Sequence, residues 1–387
     1  MNWRAQVLRW CLVGTGLLLF TAGASGATGV IQTREARLDG DIALRLSTVQ
    51  AGTNVVPWSS VLYVLLDPDV RTIPPSHRVQ WFDAEEWRGE VMALSAGKLT
   101  FRFDLFGVRE VAGTHMSLLD FSPNDPPHTS SPAGTIHLRD GEPLSGTLVW
   151  IDAQQLALDS PLGVLTLPRE RVLRYVFPAG ERRQRGGRPG DEIRLVDGTI
   201  LQGLICIETN QVTLRHRSLG ELMIPAGVIR SITRSAPDVE RLADLPPASA
   251  KSEGLFSPSP ADGRIVFQRH DDPRTIRPGF LTSMIIPPKT TLTYRLGKDF
   301  INGATFHARW GAAPDARGSA RITLLAGTNL LVEREFKGGE APVPVTVRVP
   351  ATREVTLQVD YGSRIGFPCG VCLADAFLMP NPDKTNP

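Results

Sequence analysis

Residues 135–175 and 192–232 follow one pattern at a spacing of 57 positions. Asp140-Gly141 returns as Asp197-Gly198, Gly146 as Gly203, Leu162-Gly163 as Leu219-Gly220 and Pro168 as Pro225. Self-similarity at a fixed period means one supersecondary unit used several times. Within each copy apolar and polar residues alternate between tight-turn signals, which is the pattern of short β-strands joined by hairpins. This points to an all-β class for these stretches.

Two weaker copies precede the strong pair. In 79–121, Asp83 and Gly89 stand 57 positions before Asp140 and Gly146, and Leu105-Phe106-Gly107 takes the place of the Leu-Gly turn. Residues 30–66 form a shortened first copy, with Asp39-Gly40 and a Pro57…Val61 spacing that returns as Pro168…Val172 and Pro225…Ile229. The shared residues have physical causes. Asp-Gly supplies the positive φ of a tight turn, the inner glycine permits a sharp bend, and proline opens a short helical turn. A strongly bent sheet of five short strands hides its edges by closing as a small barrel. The predicted organisation is a degenerate β repeat at 30–66, then β-barrel repeats at 78–122, 135–177 and 191–235. These units resemble the small β-barrel repeats, Sm-like or Src-homology-3-like in shape, of exported bacterial proteins. Pro- and Gly-rich spacers lie at 67–77, 122–134 and 178–190, the last with four arginines in the run 181–188.

The N-terminus reads as a signal peptide over residues 1–24. Arg4 and Arg9 precede an apolar run from Trp10 to Phe20, and Ala22-Gly23-Ala24 offers a cleavage site. Its eleven apolar residues fall short of the roughly 20 that span a bilayer. The expectation is therefore an exported protein, periplasmic or extracellular, with no transmembrane span after cleavage; a retained N-terminal anchor is the alternative. Of 42 Lys and Arg, the two in the leader leave 40 against 40 Asp and Glu. That balance argues against nucleic acid as a partner, because such binding is driven by phosphate neutralisation.

After a linker at 236–263, a different unit occupies 264–380. Its expected strands are Arg264–Gln268, Leu292–Leu296, Ala304–Trp310, Arg321–Ala326, Asn329–Phe336, Val343–Val349, Val355–Tyr361 and Leu373–Met379. Eight strands with short loops predict a jelly-roll β-sandwich. The residues 292–296 (LTYRL), 306–311 (FHARWG), 318–322 (GSARI), 355–359 (VTLQV) and 374–378 (ADAFL) carry a resemblance to the NPCBM family of carbohydrate-binding-module-like domains. Three stretches depart from that family's pattern: 279–284 before the tyrosine strand, Ala312-Ala313 after Trp-Gly, and the late loop 366–370. The resemblance implies a galactose-binding-like β-sandwich and, beyond it, sugar binding.

Sugar sites set an aromatic face against the ring and planar polar groups around it. Trp310, Tyr294 and Tyr361 with Arg309 and Arg364 are the candidates, against a core role for Trp310 and Tyr294. Trp58, Trp81, Trp87 and Trp150 are expected to fill barrel cores. Cys206, inside an apolar run, reads as a buried inert thiol. Cys369 and Cys372 have C-x-x-C spacing in a compartment that permits disulfides, leaving a loop-pinning disulfide or two free thiols. Asp271-Asp272 and Glu85-Glu86 read as turn acids. No phosphate loop, H-E-x-x-H or G-x-S-x-G occurs, and no histidine pairs with another at i+2 to i+5. The chain therefore reads as non-catalytic, with no cofactor and no metal. It is expected to bind glycan or cell-envelope polysaccharide through its sandwich, or else to act as a structural and protein-interaction scaffold of the envelope.

Overall fold

The computed structural model describes residues 27–66, 77–83, 85–122, 132–178, 190–208, 211–253, 280–300, 302–364 and 366–381. The leader, most of each spacer, the expected strand Arg264–Gln268 and the Asp271-Asp272 pair lie outside them. The fold is all-β, and the strands of residues 27–233 fall into four successive five- or six-stranded units whose bent sheets form open barrels.

The first barrel consists of β1 (Ala27–Thr33), β2 (Arg37–Leu44), β3 (Thr48–Ala51), β4 (Asn54–Pro57) and β5 (Val61–Leu66). The second has β6 (His77–Trp81), β7 (Glu86–Ser95), β8 (Lys98–Phe103), β9 (Gly107–Ala112) and β10 (Met116–Asp120). In the third, the long second strand is split around Gly146, giving β11 (Thr135–Leu138), β12 (Leu144–Ser145), β13 (Thr147–Ile151), β14 (Gln155–Ser160), β15 (Gly163–Pro168) and β16 (Val172–Val176). The fourth is β17 (Asp191–Leu195), β18 (Ile200–Glu208), β19 (Gln211–His216), β20 (Gly220–Pro225) and β21 (Ile229–Thr233). In every barrel the first four strands run as an antiparallel meander and the last strand returns to pair with the first.

The repeated residues do local work. Pro57, Pro168 and Pro225 each precede a three-residue 3-10 turn that delivers the chain to the last strand. Gly146 and Gly203 sit where the second strand crosses the third. A Cβ there would lie 2.5 Å from the Asp159 carbonyl oxygen and 2.3 Å from that of Arg215, so only glycine lets the sheet bend this sharply.

The barrels pair through their last strands, in a nested order. β10 of the second runs antiparallel to β16 of the third, with Leu119 opposite Tyr175 and Asp120 opposite Arg174. β21 of the fourth runs antiparallel to β5 of the first, with Ile232 opposite Val64. Barrels two and three thus form an inner pair, and one and four an outer pair. Strand β7 links the two pairs, meeting β13 at Leu94–Ile151 and β18 at Glu86–Ile200. One connected apolar core runs through all four units, with Ile31, Trp87, Phe101, Ile136, Tyr175 and Ile232 among its buried members. Trp58, Trp81 and Trp87 are in it as expected. Trp150 is not. A bulge between Leu148 and Trp150 changes the strand's parity, and its half-exposed ring lies opposite Ala157 on the outer face.

The C-terminal unit is a sandwich of two five-stranded sheets. Its strands are β22 (Glu240–Arg241), β23 (Ser249–Ser252), β24 (Ser283–Ile286), β25 (Thr290–Arg295), β26 (Ala304–Ala312), β27 (Ser319–Ala326), β28 (Asn329–Lys337), β29 (Val343–Val349), β30 (Glu354–Tyr361) and β31 (Val371–Pro380). One sheet runs β29-β26-β31, with β24 and then β22 end to end along the far edge of β31. The other runs β23-β25-β30-β27-β28. The expected linker is corrected here: its 240–252 stretch adds one strand to each sheet, and Leu242 is fully buried in the sandwich core.

The sandwich is seated on the first barrel. Leu62, Tyr63 and Phe377 form a buried cluster with Val239, Leu281 and Met379 packed against it. At its centre, β31 carries a bulge at Asp375 (φ +48°), whose carboxylate accepts from the Leu281 and Thr282 N–H groups and from the Tyr63 hydroxyl. Arg37 lies 3.7 Å from the same carboxylate, and Arg34 forks onto Asp238 nearby.

Candidate functional site

The five residues singled out for sugar contact do not converge. Trp310 lies on β26 and Tyr294 on β25, and both are 0% exposed. Trp310 packs edge-on to Phe306 with ring centroids 6.2 Å apart. The Tyr294 hydroxyl reaches Met284 Sδ at 3.9 Å, and burial pushes its phenol well above the usual range. Neither ring presents a face to solvent, so both belong to the core of the sandwich. Arg309 is half-buried toward the first barrel. It donates to the Pro342 carbonyl at 3.1 Å, and both it and Arg37 lie over the Phe280 ring, at 5.9 and 5.1 Å.

Tyr361 and Arg364 do share one edge of the sandwich, where β30 ends and the loop to β31 begins. Tyr361 is half-exposed and meets Phe367 edge to face, with centroids 5.9 Å apart at 81°. Phe367, which the sequence reading did not single out, is 47% exposed. The loop is anchored at Ser319: its N–H donates to the Arg364 carbonyl at 2.9 Å, and Arg364 N–H donates to its hydroxyl at 2.8 Å. The Arg364 side chain is left exposed. Beside it, Glu335 accepts from the Ser363 N–H at 2.7 Å and the Ser363 hydroxyl at 2.6 Å. These bonds, with help from Ser319 and Arg321, hold its carboxyl at about 2. Lys289 and Asp360 form a 2.7 Å ion pair along the same edge. The edge therefore presents an open aromatic pair flanked by charged groups.

No disulfide joins Cys369 and Cys372; Cys369 is half-exposed and Cys372 is buried on β31. Cys206 is exposed, which corrects the expectation of a buried thiol. Ile207 points into the fourth barrel, so Leu204 and Cys206 take the outward positions of β18.

The Glu85-Glu86 pair is a correction of a different kind, because both acids are buried, at 2% and 6% exposed. His216 Nε2 lies 3.0 and 3.1 Å from the two Glu85 oxygens. Its Nδ1 accepts from the Leu219 and Ser218 N–H groups at 3.0 and 3.2 Å, so the ring proton sits on Nε2 and is donated to the carboxylate. Trp87 Nε1 donates to Glu85 at 3.3 Å. The arrangement looks like a catalytic dyad, yet it is sealed from solvent and serves to tie barrel two to barrel four. Among the described residues no group of three or more His, Cys, Asp or Glu is placed to hold a metal ion, and no helix is long and apolar enough to cross a membrane.

No family model and no curated protein matches the chain. Among solved structures it is similar to the CBM51 module from a Clostridium perfringens GH95 protein in complex with methyl-galactose, with 14% identity over 36% of this chain and 99% of that one, at a TM-score of 0.30. It is also similar to the tandem CBM51 modules of a family 98 glycoside hydrolase from Streptococcus pneumoniae, with 12% identity over 76% of this chain and 88% of that one, at 0.29. A CBM36 module in complex with calcium and xylotriose matches at 13% identity over 36% and 96%, at 0.21. At TM-scores of 0.30 and below, the likeness assigns no ligand to this chain.

Proposed function

We propose that this is a non-catalytic, exported protein that holds glycan or cell-envelope polysaccharide at the Tyr361–Phe367 edge of its C-terminal sandwich, with the four barrels as its mount. The observation that carries this reading is the exposed aromatic pair. Phe367, 47% exposed, and Tyr361 meet edge to face, so the pair offers an apolar surface that a ligand can cover. The CH face of a sugar ring is such a cover, and Arg364, Glu335, Lys289 and Asp360 stand where ring hydroxyls would need donors and acceptors. The test is calorimetric titration of the full chain against a panel of soluble polysaccharides, because a fragment starting near residue 262 would lose β22 and β23. Saturable heat that disappears in Phe367→Ala and Tyr361→Ala, with melting temperature kept, supports the reading; heat unchanged in both variants, or none with any polysaccharide, sinks it.

A scaffold role is the second reading, favoured by a separate surface. On the third barrel Leu162, Val164 and Val149 are 88%, 66% and 47% exposed, beside the half-exposed Trp150. Crosslinking in the envelope that captures a partner at this face, and fails with Val164→Glu, would favour it.

A further inference from the structure

The inner barrel pair holds a cleft of about 630 Å³ at its junction, away from the sandwich. His77, Glu90 and Phe121 line it from barrel two, and Arg139, Gln154 and Arg169 from barrel three. Arg169, half-buried, forms the floor. It donates to the backbone carbonyls of Asp152, at 3.1 Å, and Val91, and its guanidinium lies 5.2 Å from the Phe121 ring centroid. Arg139, exposed at the rim, donates to the Glu170 carbonyl at 2.8 Å and the Ser122 hydroxyl at 2.6 Å. Arg169 Nη2 also lies 3.1 Å from His77 Nδ1, and neither arginine has a carboxylate within ion-pair distance among the described residues.

His77 adds no charge. Its Nδ1 accepts from the Val91 N–H at 2.9 Å and lies 3.1 Å from Arg169 Nη2, which leaves the single proton on Nε2. Burial, then the neighbouring Arg169 charge, brings its acidity to about 4, so it stays neutral at physiological pH. Glu90 is met by Arg102 outside the cleft. The lining therefore carries Arg139 and Arg169 against Glu90 and the exposed Glu170, with the Asp152 carboxylate also acting on Arg169, in a cavity partly walled by Phe121, Met92 and Val172. A half-buried guanidinium whose direct partners are two carbonyls and a neutral imidazole has no carboxylate in contact, and its planar fork matches one.

We propose that the cleft between barrels two and three binds a carboxylate ligand, with Arg139 and Arg169 as the carboxylate grip and Phe121 beneath the ligand body. This site is independent of the sandwich edge. The test is calorimetric titration of the full chain with glucuronate and with acetate, using glucose and inorganic phosphate as comparison probes. Saturable binding of either carboxylate is expected, about tenfold weaker in Arg139→Gln. The melting temperature should hold in that variant because Arg139 is exposed, and Phe367→Ala should bind as the unmodified chain does. Phosphate bound as tightly as the carboxylates overturns the ligand class. Glucose bound as tightly as glucuronate removes the role of charge. No carboxylate binding, or binding indifferent to Arg139→Gln, overturns the site itself.

Discussion

The hydroxyl of Tyr63 donates to Oδ2 of Asp375 at 2.6 Å across 312 residues of sequence, inside the contact between the first barrel and the sandwich. Burial is the largest influence on Asp375 and raises its pKa above the usual carboxylate range, against the Tyr63, Thr282 and Arg37 contacts that lower it. The carboxylate is kept by its donors, so each of them matters. Tyr63→Phe keeps the ring among Leu62 and Phe377 and removes one donor from a buried charge. The expected loss is about 1–3 kcal/mol, read as a lower urea midpoint and as faster proteolysis between barrel and sandwich.

His77 gives the inner barrel pair a defined pH response. Its folded-state value of about 4 lies below the ordinary 6.5. Between those values the unfolded chain takes up a proton that the folded one refuses, so stability falls as pH drops from about 6.5 to about 4. For a half-exposed ring the loss is about 1–2 kcal/mol after solvent screening. Urea midpoints of the protein and of His77→Asn, measured at pH 7 and pH 4, should converge on acidification.

The bend glycines and the turn glycines answer differently to alanine. Gly203→Ala places a Cβ 2.3 Å from a backbone carbonyl that cannot yield, and a loss of about 3 kcal/mol or failure to fold is expected. Gly220→Ala meets nothing within 4 Å and strains only its φ of +75°, for a loss of about 1 kcal/mol. Thermal melting of the two variants side by side makes the comparison.

The thiols rank by position. Cys206 is exposed, burial raises the half-exposed Cys369 above its usual value, and Cys372 is buried. Under native conditions iodoacetamide should therefore label Cys206 first, Cys369 more slowly and Cys372 last. Peptide mass spectrometry over time reads the order, and early labelling of Cys372 would contradict its placement on β31.

The all-β class and the short strands of each repeated stretch were legible because their information is local. A bend that only glycine allows and a proline that opens a helical turn mark each unit wherever it stands, as Gly146 and Pro168 do. Features that depend on strand parity were not. One bulge moved Trp150 from inside to outside, and the inward placement of Ile207 turned Cys206 outward. Strands β22 and β23, two and four residues long, are too short to carry a period and passed for linker. At the candidate edge, Tyr361 and Arg364 were found by residue type. Trp310 and Tyr294 were chosen by the same rule and belong to the core, since an aromatic on an alternating strand does not declare its face. Phe367 was missed because its exposure is set by a loop anchored on Ser319, 48 positions earlier.

The nested pairing of the barrels sets an order of assembly. A chain leaving the ribosome completes barrel one first, but its last strand keeps an open edge until barrel four has been made, some 165 residues later. Barrels two and three can meanwhile close on each other. Shortening by evolution or by engineering is constrained in the same way: loss of any single barrel strands a β-edge with no complement and invites a second molecule to supply it, and loss of the inner pair also strips barrel four of its β7 contact and of the Glu85 partner of His216.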